Sequence, residues 1–308
     1  MTRNRIKPPA LRPGDTVGVV APAAAIEAEY LERGVNVLAG LGFRVKVSER
    51  ALARNGILAG SDRERAGELA AYFADPDVKA IFAARGGYGS GRLLPYLDLE
   101  ALARTPKSIV GFSDLTFILN AILERTGMVC FHGPMVAMDF ARGLTRRSLD
   151  HLRGLLGGEL GPFELEAREA VRPGVAEGEL IGGCLSVIVA MIGTPWAPNF
   201  EQKLLFLEDT GEKAYRIDRM LVQLKQAGVL DKVAGIVFGG LPAPEGEQER
   251  RLMAGFIAEQ TAGLKVPVLC GIEAGHGTEN LTIPLGVRAT LDSRAMRLKF
   301  AEPPVSRG

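Results

Sequence analysis

Short apolar runs, each followed by a stretch of helical periodicity, recur through the first half of this chain and dictate its architecture. Residues 16–21 (TVGVVA) form the first run; Pro22 follows, and the run reads as a buried strand. Residues 26–41 then carry Ile26, Tyr30, Val37, Leu38 and Leu41 close to a 3.6-residue period, and Gly42 ends that helix. Residues 43–47 (FRVKV) alternate as a strand does. Residues 61–73 read as a helix opened by a capping box between Ser61 and Glu64. Residues 79–84, 108–112 and 128–131 are further short strands, with a helix over 114–124 between the last two. Strands apolar on both faces need cover on both faces, and the intervening helices supply it. The expected fold is therefore α/β, with a parallel sheet between helices.

The pattern changes after Leu156. Residues 157–178 are rich in Gly, Pro and Glu and lack a strong period. They read as a linker holding one or two connecting strands between residues 1–156 and a second α/β domain over 179–308. That second domain has helices at 184–192, near 217–226 and at 248–262, and strands at 203–207, 233–238 and 266–270. It closes on a hairpin around Asp292-Ser293. A chain of 308 residues is long enough to split in this way and to bury a core without disulfides.

In open parallel sheets, ligands bind beyond the carboxyl ends of the strands. Four strand ends carry unusual residues: Arg85-Gly86-Gly87-Tyr88-Gly89, Gly111-Phe112-Ser113-Asp114, Leu207-Glu208-Asp209-Thr210 and Gly275-His276-Gly277. Ser113 stands where a strand gives way to a helix, so it is either a nucleophile raised on a tight turn or a plain helix N-cap. G-F-S-D-L lacks the second glycine of the G-x-S-x-G elbow. The chain has three histidines, His132, His151 and His276. His151 lies in a polar helical stretch and reads as solvated, His132 ends a strand and competes as base, and His276 sits between two glycines that let its backbone turn sharply. Glu208, with Asp209 as its alternative, ends an apolar strand where a carboxylate can orient an imidazole. The order Ser…Glu…His is one that catalytic triads use. The glycine run fits neither nucleotide-binding fingerprint. Its amides can approach an oxyanion, and Arg85 can meet a substrate carboxylate.

The charges balance, 37 Lys and Arg against 36 Asp and Glu, which gives no reason to expect nucleic acid or an anionic membrane as partner. No segment approaches the length of a membrane span or the apolar core of a secretory signal. Cys130, Cys184 and Cys270 are widely spaced in apolar settings and read as buried free thiols, with no metal site, in a reducing, cytoplasmic setting.

Taken together, the strings VGVVAPA, ARGGYGSGRLL, GFSDLT, FHGPM, GELIGGCLS, LEDTGEKAYRIDRML, GIVFGG and GIEAGHGTENLTIPLG resemble the LD-carboxypeptidase family of serine peptidases, which includes the microcin self-immunity proteins. The resemblance implies a flavodoxin-like N-terminal domain, a C-terminal swivelling β/β/α domain and a homodimer. It implies Ser113 as nucleophile, Glu208 as acid and His276 as base. Its oxyanion hole would use the amides of Gly87 and Asp114, and Arg85, Gly86 and Tyr88 would contact substrate. The usual substrate is a cytoplasmic peptidoglycan tetrapeptide cut before its terminal D-alanine, with no metal or organic cofactor. One departure stands out: Cys184 occupies the place where the family pattern has asparagine. Two other readings stand beside this one. A microcin-type peptidyl-nucleotide substrate would need a stacking partner, and Trp196 is the only tryptophan. A non-catalytic protein would hold an acidic peptide or nucleotide with Arg85 and the glycine amides. The preference for diaminopimelate or lysine muropeptides, the dimer interface and the role of His132 are left open.

Overall fold

The first apolar run forms β1 (Thr16–Val20), buried along all but its first residue. The computed structural model describes residues 5–242 and 246–307. They fall into two units, one made of Met1–Gly161, Leu281–Gly286 and Pro303–Gly308, the other of Pro162–Asn280 and Val287–Glu302.

In the first unit β1 is joined by β2 (Arg44–Val47), β3 (Val78–Ala83), β4 (Ser108–Gly111) and β5 (Cys130–His132). These five strands run parallel in the order β2-β1-β3-β4-β5. This is the flavodoxin-like order, whose switch point lies between β1 and β3. β4 is buried at every residue, so both faces of the sheet are covered by helices. The last strand of this sheet, Ile283–Leu285, is the twelfth in chain order (β12). It pairs antiparallel with β5, and its Pro284 suits an edge position.

Helix α1 (Ala28–Gly40) buries Leu31, Gly34 and Leu38. Gly34 is required there, because a Cβ would overlap the carbonyl oxygen of Val136. α2 (Asp62–Ala74) opens with the expected capping box, Ser61 Oγ accepting from the Glu64 amide and the Glu64 carboxylate accepting from the Ser61 amide. α3 (Leu99–Ala103), α4 (Thr116–Thr126) and α5 (Arg146–Leu156) complete the unit.

The second unit holds a mixed eight-stranded sheet. Its parallel core is β8 (Val175–Cys184), β9 (Leu204–Glu208), β10 (Gly235–Phe238) and β11 (Val268–Cys270). β13 (Arg288–Asp292) and β14 (Arg297–Phe300) form the expected hairpin and extend the sheet antiparallel beside β8. The outermost strands are β6 (Phe163–Glu166) and β7 (Glu169–Arg172). Both arise from the stretch read above as a linker holding one or two connecting strands. Only Leu165 is buried in β6 and no residue in β7, so edge strands this polar show no apolar run. Helices α6 (Leu185–Met191), α7 (Ala214–Gln226) and α8 (Gly246–Thr261) complete this unit as a β/β/α arrangement. No helix among the described residues is long and apolar enough to cross a membrane.

Candidate active site

The loops that leave β1, β3 and β4 carry the candidate nucleophile and its surroundings. Ser113 follows β4 at φ 60°, in the left-handed region, and opens a 3-10 turn (Ser113–Leu115) that runs into α4. An N-cap has extended backbone, so Ser113 is not the helix cap that its position in sequence allowed. A non-glycine residue held in this region costs about 1–3 kcal/mol, a strain that concentrates at functional sites. Gly86 lies against it: a Cβ at Gly86 would sit 3.2 Å from Ser113 Oγ and 3.3 Å from the Asp114 amide nitrogen. Only a residue without a side chain leaves that space open. The carbonyl of Gly86 accepts from the Ala24 amide at 3.2 Å, which ties the β3 loop to the β1 loop. Gly87 is exposed at φ 91°, and Tyr88 beside it is 52% exposed. Arg85 is half-buried and donates from Nη1 to the carbonyl of Ala25 at 3.2 Å.

Asp114 is buried, and its side chain faces the glycine loop. Oδ2 accepts from the Ser90 amide at 2.7 Å, while Ser90 Oγ donates to the Asp114 carbonyl at 2.5 Å. Burial pushes the Asp114 carboxyl up, against the opposing pull of the Ser90 and Gly89 amides and the Arg65 charge.

In the second unit, Glu208 ends β9 and is fully buried. Its Oε2 accepts from the backbone amide of His276 at 2.9 Å and lies 2.6 Å from His276 Nδ1. Burial pushes the Glu208 carboxyl above the ordinary glutamate range, although its bonds from His276 act the other way. The histidine loop has room for this approach only because Gly275, at φ 89°, lacks a side chain; a Cβ there would overlap Glu208 Oε2. Asn280 Oδ1 accepts from the Gly275 amide at 3.0 Å and fixes the same turn. The alternative acid, Asp209, is turned away to the amides of Ser186 and Thr210, at 2.7 and 2.8 Å. The structure therefore joins Glu208 to His276 within one unit, and Ser113, Asp114 and Gly86 within the other. A cavity of about 560 Å³ backs onto the histidine loop at Gly277 and Glu279, but neither Glu208 nor His276 lines it.

His132 is wholly buried at the end of β5, its ring edge-on to Phe112 at 5.5 Å. His151 is half-buried rather than solvated: its Nε2 lies 2.9 Å from the carbonyl oxygen of Thr282, and burial lowers its pKa. Cys184 is paired with Glu208 in the β8/β9 register, with Sγ 3.3 Å from Ser186 Oγ. Burial, then the charges of Glu208 and Asp209, push this thiol well above the ordinary range and keep it protonated. All three cysteines are free, with Cys270 half-buried. Among the described residues no group of three or more His, Cys, Asp or Glu is placed to hold a metal ion. Arg65, which sequence reasoning passed over as one more charge on α2, is only 2% exposed, and its guanidinium reaches the loops of the site.

Residues 17–133 match the family model of the LD-carboxypeptidase N-terminal domain, and residues 177–291 match that of the C-terminal domain. A Bacillus subtilis protein named "Probable murein peptide carboxypeptidase" is 37% identical over 98% of this chain and 96% of its own length. The microcin C7 self-immunity protein of Escherichia coli is 29% identical over 94% of each chain. The crystal structure of muramoyltetrapeptide carboxypeptidase from Oxalobacter formigenes superposes with a TM-score of 0.86 at 32% identity, covering 94% of this chain and all (100%) of that one.

Proposed function

This chain belongs to the LD-carboxypeptidase family, a family of peptidases, and from that premise we propose that it is a cytoplasmic serine carboxypeptidase that releases the terminal D-alanine of peptidoglycan tetrapeptides. Membership in a peptidase family removes the non-catalytic binding reading. The observation that carries the proposal is the short contact between the buried Glu208 carboxylate and His276 Nδ1, 2.6 Å. A carboxylate there fixes the ring and its tautomer and stabilises the imidazolium that forms in turnover. Nε2 is then the nitrogen that takes a proton.

In the proposed reaction His276 Nε2 accepts the proton of Ser113 as Oγ attacks the scissile carbonyl. The developing oxyanion is met by the amides of Gly87 and Asp114, preorganised donors worth roughly 2.7–4 kcal/mol each in comparable sites. His276 passes its proton to the leaving amine of D-alanine, and the acyl-enzyme on Ser113 is hydrolysed by a water activated by the same imidazole. The strained backbone at Ser113 and the bare Cα of Gly86 support the nucleophile and oxyanion roles. Arg85, Gly86 and Tyr88 contact the peptide, and the enzyme works as a homodimer. The test is incubation with tetrapeptide muropeptides and mass detection of D-alanine, wild type against Ser113→Ala. D-Alanine release by the wild type and none by the variant is expected; equal release would end the assignment.

A peptidyl-nucleotide substrate is a second reading, favoured by the likeness to the microcin C7 self-immunity protein. It keeps the same triad. Offering both substrates to one preparation and comparing kcat/KM separates the two.

A further inference from the structure

Both proposed oxyanion amides sit on loops, and loops hold a geometry only as well as something else holds them. In the first unit one side chain, Arg65, reaches two of these loops at once. The Arg65 guanidinium is buried in α2, with Nη1 donating to the carbonyl of Pro22 at 2.5 Å and to the carbonyl of Gly89 at 2.9 Å. Pro22 belongs to the loop after β1, and Gly89 closes the glycine run after β3. Nη2 donates to Asp62 Oδ1 at 2.5 Å, and Asp62 also meets Arg92 at 2.9 Å, so the cation is anchored from behind. The next residue, Ser90, carries the link onward: its amide and hydroxyl both bond Asp114, the residue whose own amide follows the nucleophile. Gly89 is at φ 116°, and a Cβ there would come within 3.1 Å of Arg65 Nη1 and 2.5 Å of Leu58, so the loop is seated directly on the guanidinium.

Resting on the active-site reading above, we propose that Arg65 is a positioning residue for catalysis. It sets the spacing of the glycine loop against the Ser113 turn through the chain Arg65, Gly89, Ser90, Asp114. The planar fork is what the role needs. Two carbonyls on different loops and one carboxylate lie in reach of a single rigid head, which a lysine ammonium on a flexible stem cannot reproduce. A side chain that only filled the core would leave chemistry per folded molecule untouched when it is changed.

The test compares wild type, Arg65→Lys, Arg65→Gln and Ser90→Ala. Each is measured for kcat and KM on the tetrapeptide, for the rate at which an active-site phosphonate labels Ser113, and for thermal midpoint. Ser90→Ala keeps the fold's core intact and serves if the Arg65 variants do not fold. Expected are a drop of about 100-fold in kcat and in labelling rate for Arg65→Lys and Arg65→Gln, with KM within about threefold, since misplacement by about 1 Å costs that much. Ser90→Ala should lose about tenfold in both rates with its midpoint near wild type. Wild-type kcat and labelling in folded Arg65→Lys, or in Ser90→Ala where the Arg65 variants are unfolded, overturns the inference. If the wild type itself neither labels at Ser113 nor releases D-alanine, the active-site reading fails and this inference falls with it.

Discussion

The two halves of the proposed catalytic apparatus are built on opposite principles. In the first unit the geometry is a property of backbone: Ser113 at φ 60° and Gly86 without a side chain beside it. In the second unit it is a property of side chains, a wholly buried carboxylate gripping an imidazole that is 18% exposed. Backbone geometry is held by the loops and what braces them, and many small contacts share the work. A buried charge has no such reserve, because a lost partner leaves it uncompensated in a dry site. The first half should therefore fail by degrees when its surroundings are altered, the second abruptly.

The largest effect expected belongs to the reacting atom. Ser113→Ala should lower kcat by about 10⁶-fold while leaving substrate affinity nearly intact, as measured by turnover and by calorimetric binding. Glu208→Gln comes next, at about 10⁴-fold in kcat, because an amide favours the wrong tautomer of the ring. A loss below tenfold would show that the carboxylate does not orient the base.

Paired glycine variants probe the contrast more sharply. Gly275→Ala pushes a methyl into Glu208 Oε2 on a backbone at φ 89°, and Gly86→Ala pushes one toward Ser113 Oγ. Each should cost about 100-fold in kcat/KM. Only Gly275→Ala should also move the acid limb of the pH profile, since only it disturbs the pair that sets the basicity of the ring. In the wild type that limb should fall at acid pH as the imidazole takes up a proton and can no longer act as base. Identical pH profiles for the two variants would erase the distinction between the two halves.

Stability carries a quieter signature. Burial raises the Glu208 carboxyl from its ordinary 4.5, so above that pH the unfolded chain loses this proton before the folded one does. The folded state then binds more protons, and stability falls as pH rises through the interval. Glu208→Gln should flatten that slope in denaturant titrations at successive pH values. Smallest of all, Asn280→Ala should cost about 1–3 kcal/mol of stability by leaving the Gly275 amide without its acceptor, with a few-fold loss of activity.

Most of this was written plainly in the chain. The capping box of α2 and the strand ends bearing Ser113 and Glu208 all announce themselves through local chemistry. So did the hairpin of β13 and β14. What was hidden depends on partners distant in sequence. β12 is three residues around a proline, and nothing local says that it pairs with β5 some 150 positions earlier. β6 and β7 lie where one or two connecting strands were expected, but as edge strands with little to bury they carry no apolar signal that fixes their bounds or pairing. Arg65 looks like any charge on an amphipathic helix, because whether a guanidinium is sunk among carbonyls depends on the neighbours that tertiary folding brings. Sequence spacing offered Ser113, Glu208 and His276 as candidates and said little about what braces them.

The placement of β12 has a bearing on biosynthesis. The first sheet is finished by a segment synthesised some 150 residues after β5, and Pro9 pairs with Ser306. Until then the flank of β5 presents unpaired amides and carbonyls, the kind of border on which nascent chains stick to one another. A fragment cut after Gly161 would keep that border for good, so expressing the amino-terminal portion by itself should give inclusion bodies where the intact polypeptide gives dispersed protein.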